Sequence, residues 1–234
     1  MSLLDPAKGH CLVAYGDPGN PWFSWTYVQA NSDTIQTALR QHVVLTVQAV
    51  VLAAVVAVPL GILAHRVRRL AGPILGMSGI LYTVPSLALF AFLAPFTGTG
   101  PLTVLIGLVM YALLVIVRNT LTALEQVPAE VREAARGMGY GRLGLLLRID
   151  LPLAVPGILT GLRIAAVSTV ALATVGVIVG YGGLGQLIIG GFRNNFYKAE
   201  IATGTVLCVL LALLLDLILL GVGKLLTPWT RSVR

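Results

Sequence analysis

The chain has 234 residues, of which 57% are hydrophobic and only 11% charged, and its mean hydropathy is +0.90. A soluble domain carries about 25% charged residues, so a chain this poor in charge cannot coat itself with a solvated surface, and lipid is the solvent for most of it. The net charge of +7 comes from basic residues spread between apolar stretches, a pattern that fits membrane orientation and argues against a nucleic-acid-binding face.

Residues 1–37 read as an extracytoplasmic segment. Asp5, Lys8, Asp17, Asn20, Asn31, Ser32 and Asp33 interrupt them, so they do not form a span. Trp22, Phe23, Trp25 and Tyr27 cluster before the first apolar run. Such aromatics favour the headgroup level, which predicts a short helix lying on the outer face or packing on another subunit. No basic start, short apolar run and small-residue cleavage site follow one another here, so no signal peptide is expected.

A spanning helix needs about 20 mainly apolar residues. Five stretches qualify: Val43–Ala64, Ile74–Phe96, Leu102–Leu121, Val155–Val179 and Ile201–Val222. The runs are continuous, not alternating, and rich in Ala and Leu, which excludes barrel strands. Backbone groups in hydrocarbon must be satisfied within the segment, which leaves helices. The expected fold is therefore an all-α polytopic membrane protein with five transmembrane helices. Pro59, Gly61, Pro85, Pro156, Gly157, Gly161, Gly176 and Gly180 lie inside the spans and fit a closely packed bundle.

Charge then orients the spans. His65, Arg66, Arg68 and Arg69 follow the first span, while Arg118, Arg132, Arg136, Arg142 and Arg148 surround the third connection. Lys224, Arg231 and Arg234 follow the last span. The second connection, residues 97–100, is uncharged, and the fourth has only Arg193, Lys198 and Glu200. Lys and Arg mark the cytoplasmic side, which predicts the N-terminus outside and the C-terminus, with a short tail over 229–234, inside. Cys11 and Cys208 lie in a polar stretch and an apolar span respectively, so no disulfide is expected, and no Cys/His spacing suits zinc.

The loop over 125–152 is the one charged, amphipathic insertion between spans. Pro128 suits a helix start. Glu130, Arg132, Glu133 and Arg136 make the helix soluble, and Glu133 and Arg136 can pair at i, i+3. Ala134 and Ala135 give a small, flat face, and Gly137 and Gly139 permit a sharp turn. A second short helix, Tyr140 to Arg148, is expected, after which Pro152 and Pro156 restart the chain as the fourth span. Chemistry alone allows two readings: an ordinary interfacial hairpin, or a rigid lever inserted into a partner.

The pattern Glu133-Ala134-Ala135, then Gly139, then Ile149, Leu151 and Pro152 resembles the EAA loop of binding-protein-dependent ABC-importer permeases. The run Val58-Pro59-Leu60-Gly61-Ile62, the run Val84-Pro85-Ser86-Leu87-Ala88, Gly182-Gly183-Leu184-Gly185 and Leu213-Leu214-Leu215-Asp216 are similar to the osmoprotectant branch, which imports glycine betaine, carnitine, choline or related amines. Methionine-importer permeases carry relatives of these strings, so the permease of an importer for methionine or another amino acid is the alternative. The resemblance covers about residues 38–228, the expected permease domain, and leaves the N-terminal extension unexplained. It implies a methionine-importer-like permease fold in the bacterial cytoplasmic membrane. It also implies ABC ATPase subunits, a second permease (identical or paralogous) and an extracytoplasmic substrate-binding protein. Glu133, Ala134, Ala135, Gly139, Ile149, Leu151 and Pro152 would then couple the permease to the ATPase. ATP would be hydrolysed by that partner, with no cofactor, metal or catalytic residue in this chain. The sequence agrees, since no lysine stands in a Gly-Lys-Ser/Thr phosphate loop.

Arg163 and Asp216 are the two clear intramembrane charges. Each costs several kcal/mol unless paired or hydrated, and their depths from the same membrane face match, so they are expected to pair between the fourth and fifth spans. The alternatives are a snorkelling Arg163 with Asp216 bonded to backbone, or a proton relay. For a pathway the spans offer hydroxyls and one aromatic: Tyr82, Thr83 and Ser86, then Ser168, Thr169 and Thr174. Many such hydroxyls merely bond the preceding helical turn. Ser86 and Thr169 are the pathway candidates. A self-sufficient transporter predicts inverted repeats and more interior charge, and a membrane enzyme predicts paired carboxylates or a His cluster. His10, His42 and His65 lie far apart, and neither pattern is present.

Overall fold

A computed structural model describes residues 20–231, which form helices and turns with no strand among them. Expectations that rest on Cys11 and on Arg234 fall outside these residues. The first described helix, α1 (Trp25–Ala30), starts where the Ser24 Oγ accepts the Tyr27 N–H at 3.1 Å. Tyr27 is buried edge-on against Tyr197, while Trp22, Phe23 and Trp25 stay exposed. Asn20 ties this segment to the distant 196–198 turn: its Nδ2 donates to the Phe196 carbonyl at 3.0 Å, and its Oδ1 accepts the Lys198 N–H at 2.9 Å.

The first span, α2 (Ser32–Arg66), begins 11 residues before the apolar run read from sequence, and no helix boundary falls at residue 37. Asp33 in its first turn and Arg66 in its last complement the helix dipole, so the polar overhang remains helical. The second apolar stretch is not one straight helix. It divides into α3 (Arg68–Thr83) and α4 (Ser86–Thr97), which meet at 96°. Pro85 removes a backbone donor and pushes Val84 into extended geometry, with ψ 127°. The freed Val84 carbonyl accepts the Tyr111 hydroxyl from the next span, which pins the corner.

α5 (Pro101–Glu125) follows a turn in which Gly98 and Gly100 both have positive φ. After the loop come α6 (Ala129–Gly137), a single turn α7 (Arg142–Leu145), a π-helical turn (Leu146–Asp150) and α8 (Leu151–Ala173). A 3₁₀ segment (Thr174–Val179) ends the fourth span. The expected restart at Pro152 and Pro156 does not occur: from Arg142 to Val179 the chain runs as one 38-residue helical stretch. The π turn explains how. The Leu151 N–H bonds to the Leu146 carbonyl five residues back, and this wider register accommodates Pro152, which has no N–H of its own.

The connection between the fourth and last spans contains a further helix, α9 (Leu184–Arg193), which lies before α10 (Lys198–Leu226) and which the apolar runs of the sequence do not predict. His42 of α2 holds its start. Its Nδ1 accepts the Leu184 N–H at 3.2 Å and its Nε2 donates to the Val170 carbonyl at 3.1 Å, which fixes a neutral tautomer. Gln41 Oε1 accepts the neighbouring Gly183 N–H at 3.0 Å.

Among the described residues four helices are long and apolar enough to cross a membrane, and the bent α3–α4 pair makes five if it counts as one span. α2, α5 and α8 form the centre of the bundle, and α10 leans on α8 and α9. The α5–α8 crossing is close because α8 presents small residues: a Cβ added at Gly157 would sit 2.5 Å from Ala123 Cβ, and one at Gly161 the same distance from Asn119 Cβ. Phe90, Leu108, Ile116 and Leu124 are fully buried around this centre. Outward, Leu210, Leu213, Leu214, Leu217 and Ile218 of α10 are exposed. An apolar face of this size suits lipid or a partner helix, not water.

Candidate functional site

The loop that carries the Glu133–Pro152 pattern is a rigid elbow. α6 ends in a Schellman turn: the Gly139 N–H bonds to the Arg136 carbonyl at 2.9 Å and the Tyr140 N–H to the Ala135 carbonyl at 3.1 Å. Gly139 takes φ +86°, which a side chain there would resist. The pattern residues are therefore distributed by role. Glu133 and Ala134 are exposed on one face of α6, while Ala135 turns inward at 1% exposure. Ile149, Leu151 and Pro152 are half-buried where the π turn enters α8. Glu133 forms no ion pair with Arg136, so its carboxylate stays available.

What braces the elbow was not singled out in the sequence. Arg132 Nε donates to Asp150 Oδ1 at 2.7 Å, and Asp150 is 5% exposed. The same guanidinium donates through Nη2 to the Leu124 carbonyl at the end of α5 and comes within 3.5 Å of His65 Nε2 at the end of α2. One side chain on α6 thus joins the ends of α2, α5 and α8. The sequence did hold a signal. Asp150 stands between Ile149 and Leu151 in an apolar run, and a buried carboxylate needs a cation. Beside this joint lies a cavity of about 770 Å³, lined among others by His65, Arg66, Arg136, Tyr140 and Arg142.

Within the spans, Arg163 and Asp216 meet in a bidentate pair. Nε donates to Oδ1 at 2.8 Å and Nη2 to Oδ2 at 2.7 Å, joining α8 to α10. Both side chains are about three-tenths exposed, at 29% and 30%, and border a 370 Å³ hollow lined also by Thr160, Ile164, Val167 and Ser168. Ser86 is half-buried in the first turn of α4, just past the 96° corner. Thr169 is 2% exposed and its hydroxyl donates to the Ala165 carbonyl at 2.7 Å, so it faces no opening here. Thr83 and Thr174 bond the preceding turn in the same way. Among the described residues no group of His, Cys, Asp and Glu is placed to hold a metal ion.

Residues 57–232 match the family of binding-protein-dependent transport system inner membrane components. The chain belongs to this family. It is a multi-pass membrane permease component, and the family is not one of enzymes. The permease is 37% identical over 204 residues to the carnitine transport permease protein OpuCB of Listeria monocytogenes, covering 87% of this chain and 93% of that protein. It is 34% identical to the glycine betaine/carnitine/choline transport system permease protein OpuCD of Bacillus subtilis, covering 87% and 89%. It is also 37% identical to the osmoprotectant import permease protein OsmW of Salmonella typhimurium, covering 86% and 96%. Its fold is similar to that in an inward-facing structure of the MetNI methionine ABC transporter, with a TM-score of 0.75 at 23% identity over 82% of this chain and 95% of that one.

Proposed function

We propose that this permease forms the passage of an ATP-driven importer for a small osmoprotectant such as glycine betaine, carnitine or choline. The observation that carries the reading is the set of relatives at 34–37% identity over 86–87% of the chain, named for carnitine, for glycine betaine, carnitine and choline, and for osmoprotectant import. The methionine neighbour supports the fold only, at 23% identity. ATP is bound and hydrolysed by separate ABC ATPase subunits, an extracytoplasmic binding protein delivers the solute, and a second permease, identical or paralogous, completes the passage.

The elbow is where the ATPase grips. Glu133 and Ala134 offer an exposed carboxylate and a small flat face on α6, while Gly139 and the Arg132–Asp150 joint make the element stiff enough to transmit a push. Ile149, Leu151 and Pro152 carry that push into α8. The clustering of His65, Arg66, Arg132, Arg136 and Arg142 around one cavity supports a cytoplasmic location for this end, with the N-terminus outside. Arg163 and Asp216 cross-brace α8 and α10 within the membrane, and a charged pair at that depth turns away from lipid. Ser86, at the corner of the broken span, is the stronger pathway residue; Thr169 reaches a passage only if α8 rotates.

Uptake decides the matter. Cells lacking other osmoprotectant importers, given this permease with its neighbouring ATPase and binding protein, should accumulate labelled betaine, carnitine or choline under osmotic stress. Accumulation of methionine with none of the three would overturn the solute assignment.

A further inference from the structure

The 770 Å³ cavity beside the elbow holds more positive charge than the described residues neutralise. Arg66, Arg136 and Arg142 line it, and none of the three forms an ion pair among the described residues. The carboxylate in its wall, Asp150, is already engaged by Arg132. Guanidinium groups gathered around one hollow repel one another and draw in an anion. Their planar forks fit phosphate oxygens in particular.

The cavity's height is informative. Arg66 closes the last turn of α2, and Asp150 precedes α8, so both mark the point where a long apolar stretch ends. Phospholipid headgroups lie at that level, and basic pockets between the ends of spanning helices take anionic headgroups. Leu145 and Leu146 contribute apolar wall, and exposed Leu147 lies beside them. Arg132 and Arg136, one turn apart, face the cavity, whereas Glu133 and Ala134 are exposed elsewhere on the helix.

We propose that this cavity binds the phosphate group of an anionic phospholipid, with Arg66, Arg136 and Arg142 donating to its non-bridging oxygens. The inference goes beyond the transport reading and depends neither on the solute nor on the coupling role of Glu133. Bound lipid would brace the elbow against the end of α2, so that the coupling segment is stiffened by the membrane itself.

The test is arginine labelling with phenylglyoxal, a neutral reagent, read by peptide mass spectrometry. The full-length permease, assembled with its ATPase, is placed in nanodiscs of phosphatidylcholine alone or with phosphatidylglycerol. With phosphatidylglycerol, labelling of Arg66 and Arg142 should slow by about fivefold or more, while Arg69, exposed at the same end but outside the cavity, changes by less than about twofold. Equal slowing at Arg69 would reduce the effect to surface potential and overturn the site. Protection in both kinds of disc would assign the cavity to a protein segment, and rapid labelling in both would leave it without a ligand; either result overturns the proposal. Inorganic phosphate added to phosphatidylcholine discs should not reproduce the protection, and if it does, the lipid source is wrong. As a second measurement, the Arg66→Gln/Arg142→Gln variant should lose the retained phosphatidylglycerol seen by native mass spectrometry, whereas Arg69→Gln should keep it.

Discussion

Arg132 and Asp150 lie 18 positions apart in sequence and 2.7 Å apart in space, so the two arms of the elbow are closed by a buried ion pair. Removing one partner leaves the other charge uncompensated in a largely buried position, whereas replacing both with apolar residues of similar size removes the desolvation cost as well. Asp150→Asn should therefore lower stability by about 1–3 kcal/mol. The Arg132→Met/Asp150→Leu double variant should recover most of that loss without recovering transport, because the link to the Leu124 carbonyl is gone. Thermal unfolding of the purified protein beside solute uptake separates the two effects. A double variant that transports at the wild-type rate would show that the joint is dispensable.

Glu133 is exposed and forms no ion pair among the described residues, so none of them needs its charge. Glu133→Lys should shift stability by no more than about 0.5 kcal/mol, the usual range for an exposed surface change. It should nevertheless uncouple uptake from ATP hydrolysis in proteoliposomes. Full transport by that variant would end the lever reading of the elbow.

Much of this was legible from residues alone, and the failures share a cause. Continuous apolar runs located the membrane segments because their length is set by the bilayer. Hydrogen bonds, long-range at Val84 and at the start of α9 and local at Pro152, then decided what propensity could not. Pro85 looked like one more tolerated proline, yet the Tyr111 hydroxyl stabilises a full corner at Val84. Pro152 looked like a helix start, yet a π turn carries the helix through it. α9 was hidden because its N-terminal bonds go to Gln41 and His42, more than a hundred residues earlier. Thr169 illustrates the limit for pathway residues: a hydroxyl in a span satisfies itself on the preceding turn, and sequence cannot tell that from a lining role.

Arg163 and Asp216 satisfy each other through two parallel bonds, a geometry that depends on opposite charge more than on which helix carries which sign. Arg163→Ala and Asp216→Ala should each reduce the amount of folded permease recovered from membranes, since an unpaired charge is left among apolar helices. The swapped Arg163→Asp/Asp216→Arg protein should recover a substantial part of it. Detergent-extracted yield and thermal midpoint measure this directly. A swap no better than the single variants would mean that one of the two charges has a separate duty in the bordering hollow.

The α5–α8 crossing supplies the last prediction, because there the limiting quantity is space. A Cβ at Gly161 would fall 2.5 Å from Asn119 Cβ, closer than real side-chain carbons approach, so the helices must separate to admit it. Gly161→Val should cost about 1–3 kcal/mol, the usual range for forcing extra volume into a packed interior. Gly72 in α3 is the matched control. Nothing lies within 4 Å of its would-be Cβ, so Gly72→Ala should stabilise by up to about 1 kcal/mol through helix propensity alone. Thermal unfolding of both variants in one detergent gives the comparison. If Gly161→Val were as stable as Gly72→Ala, the crossing would be looser than the structure shows, and α8 could slide on α5 without strain.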